Sequence, residues 1–224
     1  MIADNVARVR ERIAAAARRA GRRAGDVELL ASTKGRSVGE IEEALSAGIC
    51  VIGENRVQEA ARKSAALRGR ASLHMIGHLQ RNKVAEALRL FELIHSVDSL
   101  RLAEEIDREG AKAGRVAPVL VEVNVSGEER KFGIAAGGLP AFLDAVGRLE
   151  CVRVEGLMTM APFSDNPGDS RPFFRRLREL AAAAARGETP RVRMRHLSMG
   201  MTQDFETAVE EGATIVRIGT AIFG

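Results

Sequence analysis

Short apolar runs, many of them β-branched, alternate along the chain with longer segments whose apolar residues recur at helical spacing. The first segment predicts an amphipathic helix, because Ile2, Val6, Val9 and Ile13 fall on one stripe. Eight short runs then predict strands, at residues 27–33, 50–52, 72–76, 93–96, 118–125, 152–158, 195–198 and 214–218. Helical patterns lie between them, at residues 38–47, 56–67, 79–90, 100–113, 139–149, 170–185 and 203–210.

This strict alternation of strand and helix predicts the fold class. Strands that alternate with helices form a parallel sheet, and their continuous apolar character is typical of strands buried on both faces. No linker or low-complexity tract divides the 224 residues, which is the usual size of one barrel domain. We therefore expect an α/β protein, a single-domain (β/α)₈ TIM barrel over residues 1–224 with an extra N-terminal helix.

Composition narrows the class of partner. The net charge is +4, but the basic residues are interleaved with acidic ones, and aromatic residues are 4% with no Trp or Tyr, so nucleic acid is not expected. No apolar run approaches the ~20 residues that cross a bilayer, and the N-terminus has no secretory apolar region. Cys50 and Cys151 are expected to be buried free thiols, too few for a zinc site. These features favour a cytoplasmic protein.

Lys34 ends the first predicted strand. Active sites of such barrels gather at the carboxyl ends of the strands, so this side chain is expected at the barrel mouth, where partial desolvation favours the neutral amine. A neutral amine can attack an aldehyde. A rim lysine paired with a carboxylate is an equally open interpretation. The chain has few alternative amines, which are Lys63, Lys83, Lys112 and Lys131.

Polar residues also follow the next strands. Asn55 comes after the second strand and His78 after the third, and both can bond to or stack on a flat ligand. The plainer alternatives are that Glu54 and Asn55 cap the following helix and that His78 is a cap or rim residue. The loop after strand five, with Lys131 and Gly133, either gates the site or only turns the chain.

The ends of strands seven and eight predict a phosphate site. Serine and threonine hydroxyls with glycine N–H groups, converging near a helix N-terminus, bind phosphate without a lysine. Arg217 lies two residues before Gly219 and so shares its face, pointing inward; a buried ion pair is the alternative. The candidate residues are Ser198, Met199 and Gly200 after strand seven, and Arg217, Gly219 and Thr220 at strand eight.

Eight segments carry a family resemblance, in order from Leu29 to Gly224. They read LLASTKGRSVGEI, GENRVQE, HMIGHLQRNK, IHSVDS, VEVNVSGEERKFGI, GLMTMAP, LSMGMTQDFETAVEEGAT and VRIGTAIFG. With them the chain resembles the pyridoxal 5′-phosphate (PLP) homeostasis proteins, the YggS/PROSC family, which is related to the N-terminal barrel of bacterial alanine racemases. The combination of IGHLQ-N-K, LSMGM-DF and VRIGT-IFG makes this resemblance specific.

The resemblance implies PLP as cofactor and a role for each matching residue. Lys34 would hold PLP as a Schiff base, with Asn55 and His78 near the ring and Arg217 facing the pyridine nitrogen. The implied phosphate contacts are Ser198, Gly219, Thr220 and the backbone of Met199 and Gly200. Three positions depart from the family pattern, Thr33, Ser37 and Arg56, and relatives continue past Gly224. We expect these departures to change the affinity for PLP or its release, not to abolish binding.

Three function classes remain open. The resemblance favours a monomeric PLP carrier or regulator that is not an enzyme. Such a carrier could transfer its PLP to apo-PLP enzymes. An arginine at the pyridine nitrogen weakens PLP as an electron sink, and two-base racemisation is not expected without a tyrosine or second domain. The alternatives are a weak PLP-dependent racemase or lyase, and a barrel for another phosphorylated ligand with Lys34 as an electrostatic clamp. Lys131 as a second aldehyde site is left open.

Overall fold

The computed structural model describes residues 1–128, 130–187 and 189–224, and eight parallel strands close there into a barrel. The strands are β1 Glu28–Ser32, β2 Val51–Glu54, β3 Ser72–Met75, β4 Leu93–Val97, β5 Ala117–Asn124, β6 Ile134–Ala135, β7 Val152–Met158, β8 Val192–Ser198 and β9 Ile215–Ile218. Pairing runs from β4 through β3, β2, β1, β9, β8 and β7 to β5, and β4 pairs with β5 to close the ring. The two-residue β6 lies outside it, on β5. The predicted TIM barrel is confirmed.

Helices surround the barrel. They are α1 Ile2–Arg19, α2 Val38–Ser46, α3 Val57–Leu67, α4 Val84–Leu90, α5 Leu100–Ala113, α6 Leu139–Val146, α7 Arg171–Ala184, α8 Phe205–Glu210 and α9 Thr220–Phe223. The predicted N-terminal helix is α1, which buries its apolar stripe against α2, α8 and α9. None of the helices in the described ranges is both long and apolar enough to cross a membrane.

The barrel interior changes character along its axis. One apolar cluster lies inside the barrel, formed by Leu30, Val51, Leu93, Leu120, Met158 and Ile215. Because every second residue of a strand faces inward, the positions two residues further on also point into the barrel. On β4, β5 and β9 those positions hold His95, Glu122 and Arg217, all buried. The interior therefore becomes polar toward the barrel mouth, the end where the strands finish.

Element boundaries differ from the sequence expectation in a few places. The seventh barrel strand begins at Val192, three residues early, because Arg193 and Arg195 are exposed on its outer face and break the apolar run. Residues Arg81–Lys83 form a 3₁₀ turn before α4. The last helix, α9, and β6 were not predicted.

The two cysteines are free, as expected, but the expectation that both are buried is wrong. Cys50 is exposed and Cys151 is half-buried. Each residue directly precedes a strand, β2 and β7 respectively, at the amino-terminal end of the barrel. Side chains at this position lie at the rim of the core, where the neighbouring helices do not cover them fully.

Candidate functional site

Lys34 lies two residues beyond β1, in the loop that leads to α2. Thr33 is fully buried, whereas Lys34 is exposed, so the expected partial desolvation of this amine is wrong. The strand ends at Ser32, one residue earlier than predicted, and Gly35 adopts a left-handed conformation with φ +71° that turns the chain away. Lys34 has no carboxylate partner in the described part of the chain, in contrast to the rim-lysine alternative.

A buried lysine fixes this loop from below. Lys63 Nζ donates to Glu54 Oε1 at 2.7 Å, to Glu59 Oε1 at 2.8 Å and to the Thr33 carbonyl oxygen at 2.8 Å. The Thr33 hydroxyl donates to the same Glu54 oxygen at 2.5 Å. Glu59 in turn accepts from the Gly35 N–H at 2.6 Å, so backbone groups on both sides of Lys34 are anchored. Lys63 thus has a structural role.

Glu54 belongs to this buried network and does not cap α3. Burial raises the pKa of the Glu54 carboxyl, opposed by the hydrogen bonds from Lys63 and Thr33. The N-cap of α3 is Arg56, which makes no capping hydrogen bond through its side chain. The helix-cap interpretation of Glu54 and Asn55 is therefore wrong.

An open cavity of about 530 Å³ lies beside Lys34, at the ends of β1, β2 and β3. Its lining includes Lys34, Asn55, Arg56, Gly77, His78 and Lys83. Three predicted site residues therefore share one cavity. The side-chain oxygen of Asn55 is buried and has no hydrogen-bond partner among the described residues, so its capacity to accept a hydrogen bond is unused there. Depressions at the amino end of the barrel and between α6 and α7 contain none of the predicted site residues.

His78 is exposed at the rim of this cavity. Its Nδ1 lies 3.1 Å from Asp98 Oδ2, which holds the imidazole in one orientation. The ring stacks on Phe132, with centroids 4.2 Å apart and planes 18° apart. The loop after β5 therefore reaches over to the β3 side of the barrel mouth. His78 is not a helix cap, because the next helical turn has Gln80 as its N-cap.

The candidate phosphate residues lie at the ends of β8 and β9, on the side of Lys34 that faces away from this cavity. Gly200 has φ +92°, and its carbonyl oxygen accepts from the Arg217 N–H at 3.0 Å. A Cβ at Gly219 would lie 3.4 Å from the Ser32 carbonyl oxygen, so the end of β9 adjoins the end of β1. Thr220 is exposed at the start of α9, and Met199 is fully buried.

Ser198 and Arg217 are joined inside the barrel. Arg217 Nη1 donates to Ser198 Oγ at 2.7 Å, and its Nη2 donates to the Thr159 carbonyl oxygen at 3.0 Å. Both partners are neutral, which differs from the ion-pair alternative for Arg217. The Ser198 side chain is fully buried, so its hydroxyl faces the interior and not the open cavity. Burial lowers the pKa of the Arg217 guanidinium to about 10, which leaves it charged at neutral pH.

Two interior histidines, His95 and His74, extend the line of hydrogen bonds beyond Ser198, and neither was predicted from the sequence. His95 Nδ1 lies 2.9 Å from Ser198 Oγ, and His95 Nε2 lies 3.1 Å from His74 Nδ1. Glu122 was missed as well; burial raises its pKa to about 7, with a further rise from Asp98 and a lowering by Arg217. Strand parity was the available signal, since His95 and Glu122 stand two residues after inward-facing leucines.

Other candidates lie outside this constellation. Lys131 Nζ is 2.7 Å from Glu128 Oε1, on the loop after β5. Within the residues that the structure describes, no group of three or more His, Cys, Asp or Glu side chains is arranged to hold a metal ion. The barrel mouth therefore combines an accessible amine, an amide oxygen without a partner among the described residues and a stacked imidazole with a backbone corner that contains Gly200 and Gly219.

Comparison with known proteins assigns the family. The alanine racemase N-terminal domain matches residues 5–224. A pyridoxal phosphate homeostasis protein of Aquifex aeolicus is 46% identical over 99% of this chain and 96% of its own. A crystal structure of an unknown protein from Bifidobacterium adolescentis is 42% identical with TM-score 0.92, covering 99% of this chain and 94% of that one.

A relative solved with ligand also matches over its whole length. The structure of PipY of Synechococcus elongatus PCC7942 with PLP bound is 35% identical, with TM-score 0.87 and full coverage of both chains. The chain therefore belongs to the family of pyridoxal phosphate homeostasis proteins, built on the alanine racemase N-terminal domain.

Proposed function

We propose that this protein binds PLP as a Schiff base on Lys34 and acts as an intracellular PLP carrier without a dedicated catalytic reaction. The observation that carries the proposal is the shared cavity, in which Lys34 stands beside His78 and the unpartnered amide oxygen of Asn55. Bound PLP would supply an aldehyde, and the Lys34 amine would form a C=N bond with its carbon as water leaves. The PLP-bound structure of PipY, a relative matching the whole chain, supports the choice of ligand.

The residues present fit such a ligand. A flat ring has a place beside the stacked His78 and Phe132, and Asn55 can accept a hydrogen bond from a ring substituent. A phosphate is best placed at the corner of Gly200, Gly219 and Thr220, where Gly219 is half-buried beside the end of β1 and Thr220 is exposed at the start of α9, while Gly200 is buried against Phe205 and Ala208. In this arrangement Ser198 and Met199 support the corner from β8, since the Met199 N–H donates to the Ile215 carbonyl oxygen at 3.1 Å and is not free for the phosphate.

A carrier function is favoured over turnover by the residue that would face the ring nitrogen. Arg217 is fixed by two hydrogen bonds and can only donate, so it disfavours a protonated pyridine and weakens PLP as an electron sink. Among its 224 residues the chain has no tyrosine, the second base of racemases with this architecture. Transfer of PLP to apo-PLP enzymes, a monomeric state and a cytoplasmic location are parts of the same proposal.

Two assays on one preparation test this function. The PLP-loaded protein and an equal concentration of free PLP are each mixed with an apo-PLP enzyme, and recovery of its activity is followed. We expect recovery from the loaded protein and no exchange of amino-acid α-protons in D₂O. Exchange that disappears in Lys34→Ala would instead establish the racemase or lyase alternative. Failure of the loaded protein to restore any apoenzyme would contradict transfer.

A further inference from the structure

Four side chains form a continuous buried line from the barrel mouth into the interior, Arg217, Ser198, His95 and His74, named here the interior chain. The consecutive distances are 2.7, 2.9 and 3.1 Å. Ser198 and His95 are fully buried, and Arg217 and His74 are nearly so. The direction in which each hydrogen bond is donated decides what this chain does to Arg217.

Ser198 sets that direction. A guanidinium has no acceptor, so the bond between Arg217 and Ser198 is donated by the arginine. The serine proton then needs an acceptor of its own, because a buried hydroxyl that donates to nothing is destabilising. His95 Nδ1, at 2.9 Å, is that acceptor in the described part of the barrel. His95 therefore carries its proton on Nε2 and donates it to His74 Nδ1.

Both imidazoles are suited to this arrangement because they are neutral. Burial lowers the pKa of His74 to about 4. Burial, with His74 and Arg217 as neighbours, lowers the pKa of His95 well below its usual value. The interior chain is thus a one-way series of donors that begins at the positive charge of Arg217 and ends at His74.

We infer that Ser198, His95 and His74 are positioning residues for Arg217, and that the Ser198 hydroxyl acts through the arginine and does not touch the phosphate. With Nη1 on Ser198 and Nη2 on the Thr159 carbonyl, the plane of the guanidinium is fixed and its other N–H groups stay available. The inference rests on the proposed function, in which Arg217 faces the pyridine nitrogen of PLP. It assigns a role to two histidines that have none in that proposal.

Residue 95 offers a matched pair of variants. In His95→Asn the amide oxygen can take the place of Nδ1 and accept from Ser198. In His95→Gln the longer side chain reaches toward the Nε2 position and His74, but Ser198 loses its acceptor. Both variants lose the ring and keep an uncharged amide, so they differ mainly in which bond of the interior chain survives. Ser198→Ala removes the hydroxyl with little change in volume.

The test uses three ligands that separate the ring nitrogen from the phosphate. Dissociation constants are measured by absorption titration for PLP, for pyridoxal, which lacks the phosphate, and for deaza-PLP, which has a carbon at the nitrogen position. Circular dichroism checks that each variant is folded. We expect Ser198→Ala and His95→Gln to weaken PLP and pyridoxal by the same factor, about tenfold, as for one lost charge-assisted hydrogen bond. The binding of deaza-PLP by Ser198→Ala and by His95→Gln should stay within about twofold of wild type. The binding of all three ligands by His95→Asn should also stay within about twofold.

Three results would overturn the inference. Weaker PLP binding by Ser198→Ala with unchanged pyridoxal binding would make the serine a phosphate contact. Equal effects of His95→Asn and His95→Gln would contradict the deduced hydrogen-bond direction. An equal loss for deaza-PLP would remove the link to the ring nitrogen. Failure of the wild-type protein to form a reducible adduct on Lys34 is distinguishable from these outcomes, since it would refute the proposed function as well.

Discussion

Glu122 is a position at which the structure predicts a strong dependence of stability on pH. The side chain is 5% exposed, on β5 inside the barrel, and burial raises its pKa from 4.5 to about 7. Between these values the folded protein holds a proton that the unfolded chain has released, so stability falls as pH rises. At 1.36 kcal/mol per pH unit the loss amounts to about 3 kcal/mol. Asp98 and Arg217 are the charged groups that face Glu122, and they act in opposite directions.

The variant Glu122→Gln isolates this effect, because glutamine resembles the protonated acid and does not titrate. A stability profile of the wild type by itself would also contain the titration of His74. The pKa of His74 is lowered to about 4, so its contribution to the free energy of unfolding is complete above pH 6.5 and is lost as pH falls toward 4. It is present in both proteins and cancels in their difference. We expect the free energy of unfolding of Glu122→Gln, relative to wild type, to rise by about 3 kcal/mol from pH 4.5 to pH 7.5.

Urea unfolding at half-unit pH steps measures this difference. Circular dichroism at 222 nm is the suitable signal, since the chain has neither Trp nor Tyr. Glu109→Gln is the control: hydrogen bonding to Lys112 lowers the pKa of Glu109, so its effect should be constant above pH 4.5. A difference between wild type and Glu122→Gln that stays flat across the range would refute the assignment of a raised pKa to Glu122.

Two further substitutions test the parts that hold the site. Lys63→Met leaves Glu54 without its buried partner and should lower the free energy of unfolding, measured in urea, by about 3–5 kcal/mol. The control Lys112→Met removes an exposed ion pair with Glu109 and should cost less than about 1 kcal/mol. Equal losses in the two variants would refute the structural role of Lys63. Gly200→Ala places a Cβ 2.5 Å from the Cβ of Ala208 at φ +92° and should lower the free energy of unfolding by about 2–4 kcal/mol. The control Gly39→Ala lies exposed on α2 with open space around it and should be neutral or stabilising. A Gly200→Ala variant as stable as wild type would contradict the close packing at Gly200.

The architecture was readable from the sequence because each barrel strand is a separate apolar run between helical patterns. Strand boundaries failed where that contrast is weak, as at β8, whose outer arginines are exposed. The number of strands and the parallel pairing followed from the alternation. The outward placement of Cys50 could not be predicted, since an apolar neighbourhood in sequence does not reveal where helix cover ends.

The candidate site was predicted in part. Lys34, Asn55 and His78 follow strand ends, so their shared cavity could be expected from the fold alone. The exposure of Lys34 depends on the left-handed turn at Gly35 and could not. The interior chain joins residues from β3, β4, β8 and β9, and these meet only when the barrel closes. A single strand sequence shows a histidine but not its partner.

The central claim, a PLP Schiff base on Lys34, is tested most directly by borohydride reduction of the PLP-treated protein followed by peptide mass mapping. Without Trp or Tyr the protein absorbs little in the near ultraviolet, so the bound chromophore can be followed before reduction. The account predicts one phosphopyridoxyl group, on Lys34, that is absent in Lys34→Ala. No adduct, or an adduct spread over Lys63, Lys83, Lys112 and Lys131 with Lys34 unmodified, would contradict it.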